Sequence, residues 1–310
     1  VDNAPYTPPA PSRQLTPGGP VRLKGLSIPA RHCVKALREF SPLGKISFSL
    51  LILFLLLAVL APYLSGHPHD VSSGPSLAPP GGGHLLGTDE LGVDLWAQIC
   101  HGARVSLLVG FGAALLAGVG GALMGLLSGY LGGWPDKVIM RLVDIMIVLP
   151  DLPVMIVLAA FLGPSLINII IVLALFSWVF PARVVRAQVL ILKEQSYIKA
   201  AETYDAGAWY LIRRHFLPEV FPLVAVNMIR LTGRAIVTEA ALSFLGLGDP
   251  TSRSWGLIIH HATNFEGIFF TNYWHWWLVY PWLALTLMVT SLAFFSRELE
   301  RITDPRIQRR

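Results

Sequence analysis

Charge is the first thing this sequence lacks. Asp, Glu, Lys and Arg make up 14% of its 310 residues, against about 25% in ordinary soluble domains. Hydrophobic residues reach 54% and mean hydropathy is +0.58. That balance argues against a soluble domain and points to bilayer spans as the organising elements. Cysteine is almost missing too. Cys33 precedes the first long apolar run and Cys100 follows it, so the topology below separates them across a membrane and argues against a structural disulfide. Catalytic signatures are absent. The nearest approach to a phosphate-cradling G-x-x-x-x-G-K-[ST] loop is EFSPLGKI, with Glu39 in place of the first glycine and Ile46 in place of the hydroxyl residue. Neither H-E-x-x-H nor G-x-S-x-G occurs, and the chain is not expected to be an enzyme. A continuous basic patch is missing as well. The net charge is +5, but the basic residues sit beside apolar runs, which fits membrane topology and not nucleic acid.

What is present reads as an all-α integral membrane protein of six spans. Residues 1–45 form an N-terminal tail. Its first 30 residues, with YTPPAPSRQLTPGGP, are expected to be disordered. Arg31, Lys35, Arg38 and Lys45 follow on a short helix before the membrane. Residues 46–104 supply the first span (46–64) and a Pro/Gly/Ser-rich external loop. Residues 105–297 form the core, with spans near 105–130, 138–162, 166–187, 220–245 and 277–296, and 298–310 are a C-terminal tail. The first apolar run begins too far along for a typical signal-peptide core, so no cleaved signal is expected. An even span number puts both termini on one side. Arg31 to Lys45, Lys137, Arg183 to Arg214 and Arg297 to Arg310 share that side, and only Arg104 and Arg253 lie opposite. This bias makes the termini cytoplasmic.

Gly121, Gly125, Gly129 and Gly133 recur every fourth residue and admit close backbone approach. They serve packing within the chain or contact with another subunit, and the first is favoured. Between spans four and five lies AAETYDAGAWYLIRRHFLP. Tyr197, Ala200, Ala201, Tyr204, Ala208, Leu211, Ile212 and Phe216 recur at three- and four-residue steps. Two short amphipathic helices broken at Gly207 are expected, with Pro218 opening the next span. By periodicity, their apolar face lies on lipid or docks a cytoplasmic partner.

This stretch resembles the EAA loop of bacterial ABC-importer permeases. Ala200, Ala201, Gly207, Ile212, Leu217 and Pro218 occupy or approximate its pattern. LGTDELGVDLWAQICHGARVSL (Leu86 to Leu107) is similar to the LGTD-x-x-GRD…GAR-x-SL signature of the dipeptide, oligopeptide and nickel permeases, C-type subunit. DKVIMRLVDIMIVLP, ARVVRAQVL, EAALSFLGLG, SWG and TDPRI match further segments. Four places depart from the pattern. Asp205 stands where the EAA glycine is usual, Val93 replaces the arginine of GRD, Ala97-Gln98 stand where Ser-Arg is common, and Phe295-Ser296 stands near an expected Gly-Asp.

The resemblance implies a multi-pass subunit in a bacterial or archaeal inner membrane, working by alternating access. Its coupling helices (194–217) would dock an ATPase through Ala200, Ala201, Glu202, Asp205, Ala206, Gly207, Ile212, Leu217 and Pro218. It implies a second related permease, two ABC ATPases that hold ATP and Mg, and an extracytoplasmic solute-binding protein, with lipid around the spans. No cofactor is expected in this chain. The implied cargo is di- or oligopeptides, with nickel or a metal chelate as the alternative. An ATPase-independent secondary transporter is the reading from another class.

Charges inside spans are the pathway candidates, because an ionisable group facing lipid is costly. Arg141 and Asp144 stand three apart, the spacing at which a pair can form, and Pro150 and Pro153 are expected to kink span three. Arg230, Arg234 and Glu239 in span five either line the path or only shape the bundle. No metal site is expected. His67 with His69, and His260 with His261, are weak candidates on the external side. The aromatic run NFEGIFFTNYWHWWLVYPW is expected to anchor at the membrane interface.

Overall fold

The computed structural model describes residues 40–303. Cys33, most of the N-terminal tail and the residues after 303 lie outside the described residues. Among the described residues the fold is helical without strands, and two isolated bridges, Gly81–His84 and Thr88–Asp94, fold a loop on itself.

Helix α1 (Pro42–Leu64) starts at a capped serine: Gly44 N–H donates to Ser41 Oγ at 3.1 Å, and proline occupies the first helical position. Glu298 ties that cap to the far end of the chain. Its carboxylate accepts Ser41 N–H at 2.8 Å and Ser41 Oγ–H at 2.9 Å. Helix α2 (Leu95–Leu131) begins ten residues before the expected span, because Asp94 accepts Ala97 N–H at 2.8 Å and caps a helix that hydropathy alone does not reveal.

The expected third span is two helices. α3 (Gly133–Val148) and α4 (Asp151–Leu162) meet at 92°, a break sharper than the expected kink. Leu149 precedes a proline, which pushes it into extended backbone (φ −68°, ψ 133°), and Pro150 is extended too. Helices α5 (Leu166–Ser177) and α6 (Val179–Lys193) meet more gently, at 40°. Two short helices follow, α7 (Ser196–Thr203) and α8 (Ala208–Leu211). α8 runs through a π turn (Ile212–Phe216) into α9 (Leu217–Phe244). α10 (Trp255–Asn264), a 3-10 turn (Ile268–Phe270), α11 (Trp274–Trp277) and α12 (Val279–Thr303) complete the described chain. Among the described residues, four helical stretches are long and apolar enough to cross a membrane, or up to six if each bent pair is one span.

α2 is the central post and packs on α1, α5, α6 and α9. Its glycines make this possible. A methyl group on Gly121 or Gly125 would stand 2.3 Å from the carbonyl oxygen of Trp178 or Ala182, and on Gly129 2.9 Å from Val189 Cβ. The stripe therefore packs α2 on α6 within the chain. Gly133 does not join it: with φ +57° and open space around it, it serves the turn after α2. The Arg141–Asp144 pair that the spacing allows is also not made. α3 bends away from the bundle with only Val143 buried, leaving both charges exposed and unbridged. Asp136 is the residue of α3 that pairs, taking Arg186 of α6 at 2.5 and 2.7 Å, with Ser128 of α2 donating to the same carboxylate.

Candidate functional site

Three regions hold the residues singled out by sequence. The first is the connection between α6 and α9. Its two short helices sit on a hydrophobic cluster built from three long ones. Ile198, Leu211 and Phe216 are buried against Leu126 of α2, Val185, Val189 and Leu192 of α6, and Val220 of α9. Ala201, Ala206 and Ile212 pack at its edge. The buried face thus differs from the expected one. Ile198 was not on it, while Ala200, Tyr204 and Ala208 are exposed; within α7 the buried side runs through Ile198 and Ala201.

That break is made by Asp205 and not by Gly207. Asp205 has φ +59°, whereas Gly207 is extended (φ −62°, ψ 151°) and precedes α8. Ala206 N–H donates to Ala201 O at 3.1 Å and Asp205 N–H to Glu202 O at 3.0 Å. These are the two closing bonds of a helix that ends in a left-handed residue, a place usually held by glycine. Aspartate tolerates that region better than most residues. The closure brings Ala201 and Ala206 together at the edge of the hydrophobic cluster. On the outer side, Tyr204, Trp209 and Tyr210 are 88%, 72% and 54% exposed. Leu217 and Pro218 open α9 and are exposed as well. Lys199 Nζ reaches Glu194 at 2.6 Å and holds its carboxyl below the usual range, while burial raises the Tyr197 phenol.

The second region is a groove of about 710 Å³ between α4, α9 and α12. Arg230 and Arg234 both face it, each in an ion pair that joins two elements: Arg230 to Glu300 of α12, and Arg234 to Asp151 at the start of α4. Asp151 and Glu300 were not foreseen. An acidic residue directly after a helix-breaking proline was the available signal for the first. Glu239 lies elsewhere. It is fully buried in α9, with Ser243 Oγ donating to its Oε1 at 2.7 Å and the hydroxyls of Ser254 and Ser106 facing it. Arg141 and Asp144 do not reach the groove either.

The third region is the 65–94 loop with the start of α2. Asp89 Oδ1 accepts the N–H groups of Leu91 and Val93, both at 2.9 Å, and its Oδ2 accepts Gln98 Nε2–H at 2.7 Å. Asp94 takes His84 Nδ1–H at 2.8 Å in addition to capping α2. Val93, at the place of the family's arginine, is buried beside this lock. The candidate metal histidines stay in their two pairs: His67 and His69 line one small pocket with His101, and the His260 and His261 rings lie 5.7 Å apart. His67 lies against His84 with ring centroids 4.8 Å apart, and His69 stacks on His101 at 3.8 Å. His260 Nδ1 bonds Phe244 O at 2.6 Å. Among the described residues no three His, Cys, Asp or Glu side chains gather around one point. The aromatic run divides: Trp276 and Trp277 are core residues, while Phe269 and Phe270 are exposed.

Known proteins share this layout at the level of sequence. The profile of a family described as binding-protein-dependent transport system inner membrane component matches residues 121–309. The chain is 37% identical over 269 residues to the dipeptide transport system permease protein DppC of Bacillus subtilis (strain 168), covering 84% of this chain and 81% of that one. It is 35% identical over 268 residues to the "Probable D,D-dipeptide transport system permease protein DdpC" of Escherichia coli (strain K12), covering 86% and 88%. Against the oligopeptide transport system permease protein OppC of Bacillus subtilis (strain 168) it is 32% identical over 269 residues, covering 86% and 87%.

Proposed function

The chain belongs to the family of binding-protein-dependent transport system inner membrane components, and from that premise we propose that it is a permease subunit of an ATP-driven importer of di- or oligopeptides. Each bent pair counts as one span, which gives six and puts both termini in the cytoplasm. α7 and α8 then form the coupling element for a separate ATPase subunit. A second related permease, two ATPases carrying ATP and Mg, and an external binding protein complete the system.

The observation that carries this reading is the two-sided build of the α7–α8 connection. Its inner side is anchored by Ile198, Leu211 and Phe216 to α2, α6 and α9, and its outer side presents Tyr204, Trp209 and Tyr210. Aromatic side chains of this kind dominate helix-in-groove contacts. A push on that outer side moves the anchors, and α9 carries the motion to Arg230 and Arg234 in the groove. The π turn at Ile212–Phe216 is a joint where such motion can be absorbed. The spans would thereby alternate between open-out and open-in states.

The peptide assignment draws on the relatives, which are named as dipeptide and oligopeptide transport permeases. The nickel alternative gains nothing from histidines that do not converge. The test is reconstitution of the full complex with its binding protein. Peptide-stimulated ATP hydrolysis that disappears in Trp209→Ala is the expected result. Full-rate peptide uptake by this chain alone in vesicles would overturn the reading in favour of a secondary transporter.

A further inference from the structure

The groove between α4, α9 and α12 holds three guanidinium groups, Arg230, Arg234 and Arg297, against two carboxylates, Asp151 and Glu300. α9 lies within a stretch apolar enough to cross a membrane. An arginine facing lipid there would be costly, so this face borders water or protein. The Arg234–Asp151 pair is the more open of the two, with side chains 63% and 45% exposed against 48% and 35% for Arg230–Glu300. Leu152, Met155, Val237 and Val289 form an apolar wall beside it.

We propose that the Arg234–Asp151 pair is a subsite for the two charged termini of a zwitterionic short peptide in transit, an inference that rests on the importer reading above. The peptide carboxylate replaces Asp151 at the guanidinium, and the peptide ammonium replaces the guanidinium at Asp151. All four charges keep an opposite partner throughout. That matters because an exchange of partners is close to balanced, whereas removing a partner without replacing it is not. The geometry suits the exchange. Arginine offers a flat fork that binds a carboxylate with two parallel bonds, on a stem long enough to swing off Asp151. The surplus guanidinium favours the carboxylate end. The apolar wall accepts side chains without reading them, which fits a carrier of varied peptides. The groove volume lies within the range of small-molecule sites, about 300–1,000 Å³. In the resting chain the same pair closes α4 onto α9, so peptide binding and release of that latch are one event.

The test uses the complete complex with its binding protein in vesicles. Uptake is measured for an alanine dipeptide, its C-terminal amide and its N-acetyl form. The readout is the ratio of kcat/KM between forms, in which the binding protein's own preference cancels when variant and wild type are compared. Arg234→Gln is expected to lower the free-acid-to-amide ratio about tenfold, the worth of one charge-assisted bond, and to leave the free-amine-to-acetyl ratio unchanged. Asp151→Asn is expected to do the reverse. Should one variant fail to assemble, the other still decides. Ratios that match wild type in an assembled variant, with all substrates falling in parallel, would make the pair a structural latch only and overturn the subsite. Absence of peptide uptake by the wild-type complex would instead overturn the importer reading, and the subsite with it.

Discussion

At the 65–94 end of the bundle, Asp89 gathers two backbone amides and Gln98, Asp94 holds His84 and caps α2, and Trp255 donates its indole N–H to Ile99 O at 3.0 Å. At the 194–217 end, Tyr204, Trp209 and Tyr210 stand outward, and the polar contacts are surface ones such as Lys199–Glu194. The first end is held by hydrogen bonds among its own buried side chains and backbone. The second is half of a contact, held by its inner face and open on its outer one. On the importer reading proposed above, cargo enters at one end and force at the other, and this asymmetry suits it: the receiving end keeps its shape while the driven end fits a partner.

Breaking the self-contained end should cost most. Asp89→Ala removes the acceptor from two amides and an amide side chain at a buried site, a loss of about 3 kcal/mol. Thermal unfolding of the purified complex should register it, with ATPase binding unchanged once the complex is assembled. The open end should behave in the opposite way. Trp209→Ala removes an exposed ring and is expected to change the stability of the chain by less than about 0.5 kcal/mol. Affinity for the ATPase should fall by about 2 kcal/mol, the scale of an aromatic hot spot. A pull-down against immobilised ATPase checks this, and undiminished binding would close off the docking role. Asp205→Gly sharpens the comparison further. Glycine occupies φ +59° without the Cβ penalty, so stability should rise by about 0.5–1 kcal/mol, and Asp205→Val should lower it. Unchanged stability in both would mean that the turn does not hold the two short helices.

Much of this organisation could be read from the residues. Long apolar runs located the helices, four-residue glycine spacing located the closest packing, and the α6–α9 connection stood out by its amphipathic period. What escaped depended on neighbours in space. Nothing in the spacing of Arg230 and Arg234 names Glu300 or Asp151 as their partners, which come from helices 70 and 83 positions away. Arg141 and Asp144 have the right spacing for a pair, yet both are exposed on α3 without bridging, and Asp136 takes the structural role through Arg186. The departure of the family's glycine to Asp205 was visible, but only backbone geometry chooses between a displaced turn at Gly207 and a left-handed aspartate. Glu239 looked like a pathway charge because it lies in a span, and the serines that surround it come from three separate elements.

The smallest predicted effect separates the two ends by acidity. Burial, with interaction with His101 and Arg253 in the same direction and Asp70 opposing, lowers the His69 imidazole below its ordinary 6.5. Burial, then Arg253 and His260, lowers His261 in the same direction against Asp89. Both groups resist the proton more when folded than when unfolded. Their contribution is present above pH 6.5 and is lost as pH falls through 6.5 toward the folded values, because the unfolded chain then binds more protons. At the other end the relevant group is Glu194, whose carboxyl is held below 4.5 by Lys199. Its contribution is fully present above pH 4.5 and does not change between about pH 7.5 and about pH 5.5. Acidification over that window should therefore loosen the 65–94 end alone. Protection of the 65–94 amides from exchange, corrected for intrinsic rate, should fall at the lower pH while that of the 196–216 amides stays level. Replacing both His69 and His261 by Gln should flatten the difference. An equal loss at both ends would show that the acid response belongs to the bundle as a whole, and that the two ends are less independent than their side-chain chemistry makes them.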